Sequence, residues 1–243
     1  MKNDSDIAVL VLSCDKYSDA WNPFFKLFRK YWPTCPFPVY LGTNESGFDF
    51  AGVNILHSGK ALDWSSDTIA ILGQIPQDYI ILLLEDYFLE KPVDEEWLNE
   101  CIRFTKEKNA SFMRIASFRK DHFSMYAFDE TKENAKFGIS RPDAPYRINL
   151  QAGIWNRTDF LQLITKGESP WEFEVNGSVR SVSSSKPVLG ITEASGSDVI
   201  AGPIPYLCTA ITKGTWMREA IELCKKENIE LDLKSRSVES GFA

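Results

Sequence analysis

The 243-residue chain is 44% hydrophobic and 25% charged, which suits one α/β domain, or two small ones, around a sizeable core. Its formal net charge of −7 argues against a general binder of nucleic acid or of an anionic membrane. Two histidines, His57 and His122, are too few for a His-rich zinc site. The cysteines at 14, 35, 101, 208 and 224 lack ligand spacing and read as reduced thiols of a cytoplasmic protein.

No apolar run is long enough to span a bilayer, and the polar start, residues 1–6, does not read as a signal peptide. Seven Trp and 16 Phe serve equally to pack a core or to form platforms for sugar rings, and composition does not separate the two.

Ile7-Ala8-Val9-Leu10-Val11-Leu12 reads as a buried strand ending at Ser13-Cys14-Asp15. A helix follows from Ser18 or Asp19 to about Tyr31, with Trp21, Phe24, Phe25 and Phe28 at helical spacing, and Pro33, Pro36 and Pro38 stop it. Short strands are expected at Val39–Gly42 and Val53–Leu56, then a helix from Trp64 to about Gln74 capped by Ser65 or Ser66. Next comes the stretch around which the chain is organised, Tyr79-Ile80-Ile81-Leu82-Leu83-Leu84-Glu85-Asp86-Tyr87. It is a continuous apolar run of the kind buried on both faces of a parallel sheet, and it ends in two adjacent carboxylates. The carboxyl ends of such strands are where open α/β sheets bind ligands. Burying two acids there calls for a partner, and a hard cation such as Mg²⁺ or Mn²⁺ suits carboxylate oxygens; the alternative is a strand end with solvated acids. A helix from Pro92 or Asp94 to about Lys108 and a strand at Phe112–Ala116 complete this half.

After residue 117 the pattern changes. Segments at 124–128, 136–139 and 147–155 are short and partly alternating, as in antiparallel or edge strands. Helices are expected at 157–166, beginning near Thr158 or Asp159, and at 170–179. A polar loop is expected at 181–185, with short strands at 188–191, 199–201 and 205–208. A last helix runs from Trp216 to about Lys226, and residues 232–243 read as a frayed tail. The expected organisation is a single domain: a half over about 1–117, a second half over about 118–230, and a tail at 231–243.

The chain has no Gly-rich dinucleotide fingerprint, no P-loop and no Gly-x-Ser-x-Gly elbow. What remains is a set of acids and aromatics at strand and helix ends, and in their order and spacing the chain resembles glycosyltransferases of the GT-A fold. The resemblance rests on Leu12-Ser13-Cys14-Asp15, Trp64-Ser65-Ser66-Asp67, Leu83-Leu84-Glu85-Asp86-Tyr87-Phe88, Asn149 to Arg157, and Ser169-Pro170-Trp171-Glu172-Phe173-Glu174. It spans roughly residues 7–216. It implies a three-layer α/β architecture, a mixed and mostly parallel sheet flanked by helices, with an antiparallel acceptor-side portion.

The resemblance also implies roles. Ser13, Asp15, Asp63, Ser65, Glu85 and Asp86 would bind a nucleotide-sugar donor, a UDP-sugar being favoured. Asp86 would hold Mn²⁺ or Mg²⁺ where the family carries Asp-x-Asp, although Tyr87 replaces the second acid and no histidine follows in Tyr206–Gly214. Lys213 would then help neutralise the diphosphate. Glu172 or Glu174 would supply the general base of an inverting transfer, or else simply favour a helix N-terminus. Gln151, Trp155 and Trp171 would face a glycan or lipid-linked acceptor, although Trp155 serves equally as core. Arg114, Arg119 and Lys120 lie either near phosphates or in a solvated loop. The implied setting is cytoplasmic, with peripheral association at the inner membrane, in bacterial surface-polysaccharide synthesis. Two alternatives stand beside transfer: a non-catalytic binder of nucleotide-sugar or glycan, and a sugar-phosphate nucleotidyltransferase. The second would want a Gly-rich basic loop that Ser13-Cys14-Asp15-Lys16 lacks.

Overall fold

A computed structural model describes residues 6–119, 128–130, 135–192 and 199–239. The elements of the first half follow the sequence pattern closely: β1 (Ile7–Leu12), α1 (Ser18–Tyr31), β2 (Val39–Thr43), β3 (Val53–His57), α2 (Trp64–Leu72), β4 (Tyr79–Leu84), α3 (Glu95–Glu107) and β5 (Phe112–Arg114). The second half adds β6 (Phe118–Arg119), β7 (Phe128–Glu130), β8 (Phe137–Ser140), β9 (Gly153–Asn156), α4 (Arg157–Leu163) and α5 (Pro170–Ser181). It closes with β10 (Val188–Ile191), β11 (Val199–Ile200), β12 (Ile211–Thr212), β13 (Thr215–Trp216) and α6 (Arg218–Lys226).

Nine strands form one sheet in the order β3-β2-β1-β4-β9-β5-β10-β8-β7. β1, β2, β3 and β4 run parallel, β10 runs parallel to β5, and only β9 and β8 run against the rest. The whole length of β1 pairs with the whole length of β4, from Ile7 opposite Tyr79 to Leu12 opposite Leu84. Alternate side chains of β1 therefore enter two different cores. Ile7, Val9 and Val11 pack with α1, α3 and α6, whereas Ala8, Leu10 and Leu12 pack with α2, α4 and α5. This is why both strands read as unbroken apolar runs.

Several boundaries differ from the sequence pattern. The helix at 64 is capped by Asp63, whose carboxylate accepts from Ser66 N, and the helix at 157 is capped by Asn156. Of the 147–155 segment only the end forms a strand, and that strand inserts antiparallel into the middle of the sheet, between β4 and β5. Trp216 belongs to a hairpin strand, not to the final helix, and Lys213-Gly214 makes its turn with both φ values positive. Residues 205–208 contribute a single bridge, Leu89 to Tyr206, instead of a strand. The expected strand at 124–127, Lys120 and His122 lie outside the described residues.

The largest departure is at the C-terminus. Residues 232–239 form a strap, not a frayed end. Val238 bridges to Trp216, Ser237 O accepts from Trp216 N (2.9 Å), and Glu239 N donates to Trp216 O (3.0 Å). Arg236 makes a two-point ion pair with Asp19, Nε to Oδ2 at 2.7 Å and Nη2 to Oδ1 at 2.8 Å.

Trp155, expected at the acceptor, is wholly buried between Phe112 (4.2 Å between centroids) and Phe160 (4.1 Å). Its position on a central strand leaves it no route to a ligand. Replacing it by Ala is expected to lower stability by about 3–5 kcal/mol, read as a fall in the urea midpoint at unchanged slope.

Candidate functional site

The site begins where β4 ends. Glu85 is 7% exposed, and burial, followed by the charge of Asp86, raises its proton affinity well above the ordinary carboxylate range; the Ser13 hydroxyl and Arg236 pull the other way. Burial likewise pushes Asp86 up to about 6, against the opposing pull of Thr209. Thr209 Oγ1 donates to Asp86 Oδ2 at 2.6 Å, and Ala210 N donates to Asp86 O at 2.8 Å, so the 209–216 hairpin is pinned to this corner. Ser13, at the end of the neighbouring strand, is itself fixed by the Trp21 indole, which donates to Oγ at 2.7 Å.

Beside the corner lies a cavity of about 470 Å³, whose walls include Ser13, Asp15, Asn44, Asp63, Trp64 and Asp67. Asp15 shapes one wall. Its carboxylate accepts from Asn44 N (3.0 Å), Glu45 N (3.1 Å) and Ser46 N (3.0 Å), and Asp15 N returns a bond to Asn44 Oδ1 (3.1 Å). Burial pushes the Asp15 carboxyl up, but these amides outweigh it and the group sits below its ordinary value. Asn44 Nδ2 reaches across to Asp67 Oδ2 (2.9 Å), joining the loop after β2 to the first turn of α2. Asp63 lines the opposite wall while accepting from Ser66 N (2.9 Å), from the Ser65 and Ser66 hydroxyls, and from Gly167 N (3.1 Å). Ser65, expected to touch the donor, is instead fully buried: it donates to Asp63 and accepts from Glu168 N (3.0 Å).

Of the residues expected on the acceptor side, Gln151 is brought to the same corner. Tyr87 follows Asp86, stacks on Tyr206 (4.5 Å between centroids), and donates to Leu150 O (3.2 Å). Gln151 is held at both ends of its amide, donating to Tyr87 Oη (3.2 Å) and accepting from Tyr206 Oη (2.9 Å). Glu174 Oε1 accepts from Leu150 N at 2.7 Å, and among the described residues Oε2 has no hydrogen-bonding partner. Burial raises the proton affinity of Glu174, partly offset by the Leu150 amide. Glu172 is arranged differently. It closes a capping box with Ser169, whose N and Oγ donate to Oε2 at 2.8 and 2.7 Å, and these bonds hold it below its ordinary value. Trp171 stands 75% exposed on the outer face of α5.

Two other expectations do not join the site. Arg114 is 2% exposed, donates to Ala116 O (2.8 Å) and lies over Phe118, so it is a buried packing group. Lys213 is a hairpin turn residue. Conversely, the sequence reading gave no role to Asn44, Asp67, Tyr206, Thr209 or Arg236. Asp67 appeared only within the Trp64–Asp67 helix start, and Tyr206, Thr209 and Arg236 meet the corner through contacts distant in the chain.

The fit of a divalent cation rests on the donor set. Among the described residues no three His, Cys, Asp or Glu side chains cluster, but Mg²⁺ is commonly held by one or two carboxylates together with phosphate oxygens and water. Glu85 and Asp86 are adjacent, and burial raises the proton affinity of both, so their charged forms call for a positive partner. They therefore fit a cation shared with a phosphorylated ligand, not one held by protein alone.

No protein-family model matches the chain, and no curated protein matches it. Among solved structures, UDP-glucose pyrophosphorylase complexed with UDP-glucose aligns with a TM-score of 0.52 at 8% identity, covering 76% of this chain and 89% of that one. UTP-bound UGPase from Acinetobacter baumannii gives 0.50 at 11% identity, covering 76% and 85%. S. aureus TarS 1-349 gives 0.47 at 12% identity, covering 81% of this chain but only 60% of that one. The first two share the fold: a mixed, mostly parallel α/β sheet with helices on both faces. No helix among the described residues is long and apolar enough to cross a membrane.

The Asp63 cap gives a pH-dependent prediction. The hydroxyl of Ser65 and the amide of Ser66 hold its folded-state carboxyl far below its ordinary value. Its stabilisation is therefore complete above the unfolded value of about 3.9 and is lost as pH falls through the folded one. Asp63→Ala is expected to cost about 1 kcal/mol or somewhat more at pH 7, the penalty shrinking as pH drops below about 4, as read by denaturant titration at each pH.

Proposed function

We propose that the chain is a glycosyltransferase that moves a sugar from a nucleoside-diphosphate sugar to a hydroxyl of a glycan or lipid-linked acceptor. The observation that carries this reading is the span of Tyr87. Asp86 precedes it at the end of β4, and its hydroxyl meets Leu150, whose amide holds Glu174. A phosphate-side carboxylate and a base candidate therefore flank one aromatic side chain. The 470 Å³ cavity beside Ser13 has room for a nucleoside, and a UDP-sugar is the favoured donor.

In this scheme the nucleoside lies between Asp15 and Asp67, and its diphosphate extends over the turn after β1 toward Asp86. A divalent cation at Asp86, when bound, supplies positive charge to the leaving diphosphate. Glu174 Oε2 takes the proton of the acceptor hydroxyl as that oxygen attacks the anomeric carbon and the carbon–phosphate-oxygen bond breaks. A carboxylate of raised proton affinity is the better base at neutral pH. Glu172, committed to its capping box, serves the helix; Glu174 is the better candidate.

The pyrophosphorylase-like fold favours one second reading, nucleotidyl transfer to a sugar phosphate. Product analysis separates the two, because glycosyl transfer releases a nucleoside diphosphate whereas nucleotidyl transfer releases inorganic pyrophosphate. With nucleotide-sugar as substrate, Glu174→Gln is expected to lower turnover by roughly 100-fold or more, and Glu172→Gln by no more than a few-fold. Equal losses, or none at Glu174, would remove Glu174 as the base.

A further inference from the structure

The strap at 232–239 is fastened to the turn after β1, over which the scheme above needs positive charge, and the Lys213 that the sequence offered for that task is a hairpin turn residue instead. Arg236 is its anchor. The side chain is 10% exposed, and four contacts fix the guanidinium: the two-point pair with Asp19, a bond from Nη2 to Lys16 O (2.7 Å), the face of Tyr17 at 4.4 Å from the ring centroid, and the Trp216 ring at 5.9 Å. These use Nε and Nη2. Among the described residues Nη1 has no hydrogen-bonding partner, so a nearly buried, rigidly held guanidinium presents one free pair of donors.

The position of that free end is set by its neighbours. Asp15 and Lys16 line the nucleoside-sized cavity, and Tyr17 follows them in the same short turn. The guanidinium lies against the backbone of that turn, on Lys16 O and the Tyr17 ring, and its charge also favours the ionised forms of Glu85 and Asp86. Lys16 is exposed on the cavity side, and its ammonium has no partner among the described residues.

We infer that the C-terminal strap is part of the donor site and that Arg236 Nη1 donates to a diphosphate oxygen lying over the Asp15–Tyr17 turn. The inference rests on the nucleotide-sugar reading above. Asp19 holds the fork and Tyr17 supports its plane, so little side-chain freedom remains to be lost on binding. The ligand class is a diphosphate ester, with or without a cation at Asp86.

Titration calorimetry with UDP, GDP and CDP, and with the matching nucleosides, tests the inference on the intact chain. Arg236→Ala is expected to weaken the best-binding diphosphate roughly 10- to 100-fold and to leave its nucleoside unchanged. Asp19→Asn breaks the anchor but keeps the charge, and is expected to hold diphosphate affinity within about threefold. Equal diphosphate binding by Arg236→Ala and wild type overturns the inference. So does a loss in Asp19→Asn as large as that in Arg236→Ala, which would mark the pair as a structural fastening. If Arg236→Ala does not fold, Arg236→Lys decides: a measurable loss for the diphosphate but not the nucleoside supports the donor role, and unchanged affinity for both overturns it. Failure of the wild-type chain to bind any of the three diphosphates sinks the donor-site reading itself, and the inference with it.

Discussion

Everything in this molecule hangs on the parallel pairing of β1 with β4. Six residues of each strand are matched without offset, and alternate side chains feed two separate cores. Burial on both faces fixes the register, because a slip of one residue would exchange the two cores. A fixed register also fixes where the strands stop. Ser13 and Glu85 therefore emerge side by side at the carboxyl edge, and the 13–17 turn, the cavity and the acid corner are built from that edge outward.

The same burial creates the electrostatic problem at the edge. Two consecutive carboxylates enter a region where desolvation raises the cost of their charge. The chain meets that cost with groups from far away: the Thr209 hydroxyl on Asp86, and the Arg236 guanidinium across the Tyr17 turn. Neither group neutralises the pair fully, since Arg236 is already shared with Asp19. The protein spends stability here that an apolar strand end would have kept.

Much of the scaffold was legible because its signals are local. The apolar runs of β1 and β4, the aromatic spacing of α1 and the prolines after it all report on contacts within a few residues. The helix start at Pro170 was legible for the same reason, but its capping box with Ser169 was not read, and spacing alone could not choose between Glu172 and Glu174. Only the fold reveals that one acid turns back to its own helix start while the other reaches the amide of Leu150. Asp63 was missed as a cap because three residues within four positions, Asp63 and the hydroxyl-bearing Ser65 and Ser66, all carry suitable oxygens. The strap was illegible for a stronger reason. Arg236 meets a partner 217 residues earlier in the chain, and no periodicity within the polar tail records that contact. Trp155 was ambiguous between core and acceptor, and the insertion of β9 between β4 and β5 sends it inward, while Gln151, just before that strand, meets Tyr87 and Tyr206.

The proposed donor, a nucleoside-diphosphate sugar, would lie along the carboxyl edge, from the Asp15 cavity to the Tyr87 corner. A crystal structure of the protein grown with UDP-glucose and Mg²⁺ tests it most directly. The expected density has the base between Asp15 and Asp67, the diphosphate over the 15–17 turn, and the sugar between Asp86 and Glu174. Density for the nucleotide anywhere else on the protein, or a sugar directed away from Glu174, would contradict it.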